Sequence, residues 1–207
     1  MIDSLVQLDR AWTLAINSLH TPFTDSMWMF FSGKSVWIPL YLLAAALLIW
    51  RLGWRKGLVM ILTTALCILC VDQFANLIKA SVARLRPGCD EDMLAAGLNV
   101  LIPSRAGSFG FFSAHAGNAL AFAVCSILGL GFADNAGQRP WKGLHSIYSF
   151  LITVWALMVG TSRIFVGKHF LGDVLVGFAV GLVFALILCG IVKKLFDARA
   201  SKSTLAS

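Results

Sequence analysis

The sequence predicts an all-α fold: a polytopic membrane helix bundle with five transmembrane helices, or six, and N-terminal interfacial helices. Three observations carry that prediction. Of the 207 residues, 58% are hydrophobic and only 13% charged, and the mean hydropathy of +0.81 is too high for an ordinary soluble domain. The apolar residues gather into runs close to the roughly 20 residues that ~30 Å of hydrocarbon requires. The basic residues fall mainly between those runs.

In chain order, residues 1–34 mix Trp12, Phe23, Trp28 and Phe30 with Asp9, Arg10, His20 and Asp25. Such a mixture suits amphipathic helices lying at the membrane interface; read as a crossing, the same segment would make six spans. Spans are expected at about 35–51, 57–78, 113–133, 144–161 and 170–192, the first interrupted by Pro39. Asp3 and Asp9 occupy the place where a cleaved leader would carry basic residues, so the apolar segments are expected to remain in the mature protein. Segment 88–112 is too long for a turn. Its apolar piece MLAAGLNVLI, between Glu91-Asp92 and Pro103, predicts a surface helix or lid on the membrane, under which a lipid headgroup would slide. Gly172, Gly177 and Gly181 in the fifth span predict close helix packing. The whole chain, 1–207, reads as one membrane-embedded domain with a tail over 193–207.

The net charge of +7 does not point to nucleic acid, because no basic stripe interleaves with aromatic residues. It points to membrane orientation. Arg51, Arg55 and Lys56 follow the first span; Arg139 and Lys142, against Asp134, join the third and fourth; Lys193, Lys194, Arg199 and Lys202, against Asp197, follow the fifth. With five spans these groups share one side, which the positive-inside rule makes cytoplasmic. Segments 79–112 and 162–169 then face the extracytoplasmic side of the cytoplasmic (inner) membrane. Cys67, Cys70, Cys125 and Cys189 lie in apolar runs and Cys89 stands alone in a polar loop, so no disulfide is expected and the Cys67–Cys70 pair reads as packing.

The outer side holds the polar residues that the charge rule does not explain: KASVARLRP (79–87), GFFSAH (110–115) and SRIFVGKHFLGD (162–173). Ionisable groups at the ends of membrane helices are costly and mark function. His169 and Asp173 are spaced i, i+4, which puts them on one helix face. A carboxylate accepting from Nδ1 would leave Nε2 free as nucleophile or base, and a structural pair capping a helix start is the other reading. His115 opens the third span, where free backbone N–H groups favour an anion; it reads either as an oxyanion ligand or as a satisfied interface residue.

Lys79, Arg86 and Arg163 are cations on the same side, suited to the spread charge of a phosphoryl group. Three cations would repel a dication, so no metal and no cofactor are expected. Asp72, Asn76 and Lys79 share one face of the second span, either orienting Lys79 or satisfying one another. Arg84 and Lys168 read as headgroup contacts or solvated residues, and His20 and His145 as structural.

These three stretches resemble the signature of the type 2 phosphatidic acid phosphatase superfamily, which includes glucose-6-phosphatase and the vanadium haloperoxidases. Its first motif is lysine, six residues, then Arg-Pro, matched by Lys79 and Arg86-Pro87. Its third is Ser-Arg, five residues, histidine, three residues, aspartate, matched by Ser162, Arg163, His169 and Asp173. Its second, Pro-Ser-Gly-His, is matched in part by Phe112-Ser113-Ala114-His115, where the methyl of Ala114 narrows the approach to phosphate. The resemblance covers residues 79 to 173.

It implies a metal-independent lipid phosphatase in which His169 attacks phosphorus to form a phosphohistidine, supported by Asp173. His115 would protonate the leaving oxygen, while Lys79, Arg86, Ser113 and Arg163 bind phosphate. The implied partners are membrane lipids and a lipid phosphate: undecaprenyl diphosphate first, then phosphatidylglycerophosphate, phosphatidate or lipid A. Haloperoxidase chemistry fits less well, since those relatives are typically soluble and much longer. The alternative is a transporter or scaffold with a silent site, disfavoured because the motif side chains are present and no inverted hydropathy repeat is visible.

Overall fold

The structure, a computed structural model, describes residues 2–105, 108–134 and 142–205. Two short helices open the chain, α1 (Ile2–Asn17) and α2 (Pro22–Ser32). Thr21 starts α2: its side chain accepts from the backbone N–H of Thr24, the Thr24 hydroxyl bonds back to the Thr21 N–H, and Pro22 supplies a preset first turn. A short 3-10 turn, Ser35–Trp37, leads into α3 (Ile38–Val82).

Helix α3 is a hairpin of two arms. Gly53 has φ 75 and ψ 160, a conformation open to glycine and far from helical. A methyl on Gly57 would lie 2.7 Å from the Cα of Ile49. Eight residues apart on a straight helix they would be roughly 12 Å apart, so the arms must fold back on each other. The arms, 38–52 and 54–82, correspond to the first two expected spans. Helices α5 (Ala114–Asp134), α6 (Lys142–Phe165) and α7 (Leu171–Leu205) follow. Among the described residues four helices, the hairpin counted once, are long and apolar enough to cross a membrane, and the chain is a multi-pass helical membrane protein. Helix α7 runs unbroken to Leu205, so the described part of the expected tail continues the last helix.

Helix α5 is the centre of the bundle, packed on α3, α6 and α7. The α5–α7 crossing is close because glycine faces backbone: a methyl on Gly181 would collide with the Gly117 carbonyl, and one on Gly177 with the Ser113 carbonyl. Around it Leu48, Met60, Val71, Ala121 and Leu130 form the buried core together with the thiols of Cys67, Cys125 and Cys189. All five cysteines are free. At one end of the bundle Lys56, Phe132, Lys193, Phe196 and Asp197 share a surface. Arg139, which the sequence places at that end, lies outside the described residues.

The opposite end is capped by α1, α2 and residues 83–105 and 108–113. Trp28 stacks on Phe165 with centroids 4.4 Å apart, and Asn17 donates to the carbonyls of Ile164 and Phe165. Leu5, Leu8 and Trp12 stay exposed on the outer face of α1, as an interfacial helix requires.

The expected surface helix over 93–102 does not form. Helix α4 (Glu91–Ala95) is little more than one turn, begun by the Asp90 side chain accepting from Met93 N–H. Met93 and Leu98 then turn inward onto Phe170, with Leu14 and Val100 packed against them. The Ile102 N–H donates to Val166, and the Asn99 N–H to the side chain of Asn17. Met93, Leu98 and Val100 thus find their partners in a small core, while Leu94 stays exposed.

Candidate active site

Backbone hydrogen bonds bring the three polar stretches together at the capped end. Helix α3 ends on Ala83, in the left-handed region at φ 49, and the chain continues extended into an antiparallel bridge between Leu85 and Phe109. Arg86 N–H donates to Ser108 at 3.2 Å and Gly110 N–H to Arg84 at 2.8 Å, joining the first stretch to the second. Gly88 N–H donates to Gly167 at 3.1 Å, joining first to third; Ser113 N–H donates to the Asp173 carbonyl at 2.9 Å, joining second to third. Residues scattered from 79 to 173 therefore share one wall.

His169 lies just ahead of α7, and Asp173 in its first turn. The His169 Nδ1 to Asp173 Oδ2 separation is 3.4 Å, an ion-pair contact that is long for a hydrogen bond. Asp173 is fully buried; its Oδ2 also accepts from Phe170 N–H at 3.1 Å, and its Oδ1 from Arg84 Nη1 at 3.0 Å. Burial pushes the His169 imidazole down to about 4, Asp173 opposes that, and Arg163 and Arg86 add to it. Burial and the two arginines thus favour the neutral imidazole.

His115 is in the first turn of α5, with its Nε2 buried and without a hydrogen-bond partner among the described residues. It is within electrostatic reach of His169, Arg163 and Lys34. Ser113 is fully buried and caps α5, its Oγ accepting weakly from Ala116 N–H at 3.4 Å. The hydroxyl proton stays available to an anion.

Arg163 ends α6, donates from Nη1 to Ser32 Oγ and keeps a buried Nε without a partner. Arg86 donates from Nε to the Phe109 carbonyl at 3.2 Å, and Lys79 in the last turn of α3 feels Arg86, Asp72 and Asp173. All seven residues singled out in the sequence converge here.

Four more residues join them. Arg84, expected to contact headgroups or to be solvated, is gripped by Asp173 at 3.0 Å and Asp9 at 2.7 Å, with its guanidinium carbon 3.8 Å from the Phe170 ring centroid. A signal for it existed: in an extended segment residues two apart share a face, so Arg84 accompanies Arg86. Lys168, also expected to be solvated, donates to the Pro103 carbonyl at 2.7 Å; burial, with Arg86 and Arg163, lowers its pKa from the ordinary lysine value. Lys34 and Asp9 come from the N-terminal segment, and no local pattern marks them. Asp72 accepts from Asn118 at 2.9 Å, so its partner is on α5. His20 pairs with Asp25 and His145 contacts the Ile127 carbonyl, as structural residues do.

Cations predominate at this wall: Lys34, Lys79, Arg86, Arg163 and Lys168 against Asp72 and Asp173, with Arg84 and Asp9 paired off. Like charges held this close repel unless an anion lies among them, and a phosphoryl group is the anion whose oxygens they match. From His115 a cavity of about 430 Å³ runs down into the bundle. Its upper end is polar, with Lys34, Asp72 and Asn118; below it is lined by Tyr41, Ala45, Leu48, Ala65 and Phe122.

The profile of the PAP2 superfamily matches residues 56–197, two thirds of the chain and all three stretches. The chain belongs to the PAP2 superfamily. It is similar to lipid A 4'-phosphatases of Bacteroides thetaiotaomicron, at 30% identity over 87% of this chain and 75% of that one, and of Porphyromonas gingivalis, at 24% over 88% and 72%. Two crystal structures share its fold. One is described as the first transmembrane PAP2-type phosphatidylglycerolphosphate phosphatase, from Bacillus subtilis, with a TM-score of 0.69 at 22% identity over 92% of this chain and 87% of that one. The other is LpxE of Aquifex aeolicus, with a TM-score of 0.61 at 21% identity over 86% and 92%. This PAP2 protein is a membrane lipid phosphatase.

Proposed function

We propose that the chain acts as a single membrane-embedded domain that hydrolyses the phosphate of a glycolipid of the lipid A class, presented at the extracytoplasmic face of the cytoplasmic membrane. The convergence of His115 and His169 among Lys79, Arg86 and Arg163 carries this reading. Likeness to two lipid A 4'-phosphatases over most of the chain moves a lipid A phosphate ahead of undecaprenyl diphosphate. Lys56 and Lys193, together at the end away from the site, support the outward placement.

In the reaction, His169 Nε2 attacks phosphorus and the bond from phosphorus to the lipid oxygen breaks. The leaving oxygen takes its proton from His115. Asp173 holds Nδ1–H, so the ring carries positive charge beside a carboxylate while the phosphohistidine exists. Water, giving a proton to His115, then attacks phosphorus, and inorganic phosphate leaves as His169 recovers its lone pair. Lys79, Arg86, Arg163 and the Ser113 hydroxyl neutralise the three phosphoryl oxygens throughout.

The test is phosphate release by detergent-purified protein, with EDTA present, from a panel of lipid A, undecaprenyl diphosphate, phosphatidylglycerophosphate and phosphatidate. Release from lipid A well above the others is expected; preference for another member would refute the substrate, and no release from any would refute the enzyme.

Two further outcomes follow from this geometry. Because burial holds His169 at about 4, it stays neutral as pH falls through the ordinary histidine value of 6.5. Once the ionisation of the substrate phosphate is subtracted, the enzyme's acid limb of kcat/KM should therefore lie well below pH 6.5, and an enzyme limb near 6.5 would count against His169 as the neutral nucleophile. The cavity below His115 is sized and lined for one chain of the lipid. Ala45→Phe should lower kcat/KM for a long-chain lipid phosphate by about tenfold and leave a short-chain soluble phosphate unchanged. Equal losses on both would place the chain elsewhere.

A further inference from the structure

We propose that Arg84 is a positioning residue, a clamp from the N-terminal helix to the nucleophile that sets which Asp173 oxygen meets His169; this rests on the role given to His169 above. The geometry is a chain of four side chains. Asp9 on α1 meets Arg84 at 2.7 Å, Arg84 meets Asp173 Oδ1 at 3.0 Å, and Asp173 Oδ2 faces His169 Nδ1 at 3.4 Å. Each prong of the guanidinium is committed: Nη1 to Asp173 and Nη2 to Asp9. Its face lies on the Phe170 ring, between His169 and α7. A headgroup contact would leave the guanidinium turned outward; here both prongs and one face are spent inside the protein.

The clamp also fixes the start of α7. Its first free N–H groups would otherwise lack partners. Phe170 N–H donates to Asp173, Leu171 N–H to Thr13 Oγ1 at 3.0 Å, and Gly172 N–H to Asp9 Oδ1 at 2.7 Å. Gly172 makes this possible, because a methyl there would lie 2.9 Å from Asp9 Oδ2. The close approach expected of this glycine is thus to a carboxylate of α1, while Gly177 and Gly181 serve helix packing. Asp9, Thr13 and Arg84 hold the backbone on which His169 is carried, and Arg84 alone of these touches Asp173 with a formal charge.

The sign of the consequence is fixed by charge. Around the His169–Asp173 pair stand Asp9 from α1, Lys79 from α3, Arg84 and Arg86 from the following segment, His115 from α5 and Arg163 from α6. Arg84→Gln removes the cation in contact with Asp173, so the pair takes up a proton more readily. The acid limb of kcat/KM should move to higher pH by about one pH unit, with kcat down about 10- to 100-fold and KM within about twofold. Asp9→Asn removes an anion that shares Arg84 while keeping an acceptor for Gly172 N–H. Its acid limb should move the opposite way, to lower pH. Arg84→Lys restores the charge without the two-pronged grip, so its limb should return towards wild type with kcat still reduced.

A purely structural role would cost stability without opposite shifts. The experiment is the pH profile of phosphate release for wild type, Arg84→Gln, Arg84→Lys and Asp9→Asn, on whichever lipid phosphate the wild type turns over. If Arg84→Gln does not fold, the Arg84→Lys and Asp9→Asn limbs decide. Limbs that do not move, limbs that move the same way, or a rise in KM with kcat intact would overturn the inference. A wild type inactive on every lipid phosphate would sink the phosphatase reading instead.

Discussion

Replacing His169 by alanine is expected to lower phosphate release by about 10⁴-fold or more, with the protein still folded. The side chain is 4% exposed and ends at the cation cluster, so its loss opens space without exposing the bundle core. Were His169 only half of a pair capping α7, the helix would lose little: Asp173, Thr13 and Asp9 supply the accepting oxygens for the first N–H groups. A capping role therefore predicts a modest fall in stability and residual turnover, and a nucleophilic role predicts near-complete loss at unchanged melting temperature. A second readout separates His169 from His115. With labelled lipid phosphate, the wild type should yield an acid-labile phosphoenzyme, and His115→Ala should still form one, more slowly, because the leaving oxygen lacks its proton donor. His169→Ala should yield none. Label on His169→Ala would move the nucleophile elsewhere.

The sequence made the helices and the motif residues legible for different reasons. Long apolar runs broken by Arg51–Lys56 and by 79–112 separate the arms of α3 from each other and from α5, because the hydrocarbon slab tolerates little else. Lys79, Arg86, His115, Arg163, His169 and Asp173 stand out as ionisable groups at helix ends on the outer side, and Ser113 through the motif it shares with His115. Residues whose role depends on a distant partner did not stand out. Arg84 looks like a snorkelling cation until Asp9, 75 positions earlier, is folded onto it. Lys34 and His115 approach only through packing of the α3 hairpin against α5. The 93–102 piece has the composition of a surface helix, and only the inward apolar partners Phe170 and Leu14 turn it into a plug. Local pattern identifies what must be buried or charged, and tertiary contact decides against what.

The second large effect should come from a residue that touches no substrate. Gly177→Ala is expected to lower kcat by about 100-fold, together with a loss of about 1–3 kcal/mol in stability. At Gly177 the added methyl would run into the backbone carbonyl of Ser113, and a carbonyl cannot rotate away as a side chain can. Either α7 or the start of α5 must retreat. Ser113 is two residues before His115 and bonded through its N–H to Asp173, so any retreat opens the separation between the two histidines. A displacement on the order of 1 Å is enough to spoil in-line transfer between a nucleophile and a proton donor on different helices. Gly190→Ala, on the same helix with nothing within 4 Å of the new methyl, is the control and should leave both activity and stability unchanged. Measuring kcat and thermal unfolding for the pair separates the contributions. A Gly177→Ala protein that unfolds earlier but turns over at the wild-type rate would mean that the bundle absorbs the methyl away from the site, and that the close α5–α7 crossing serves stability alone.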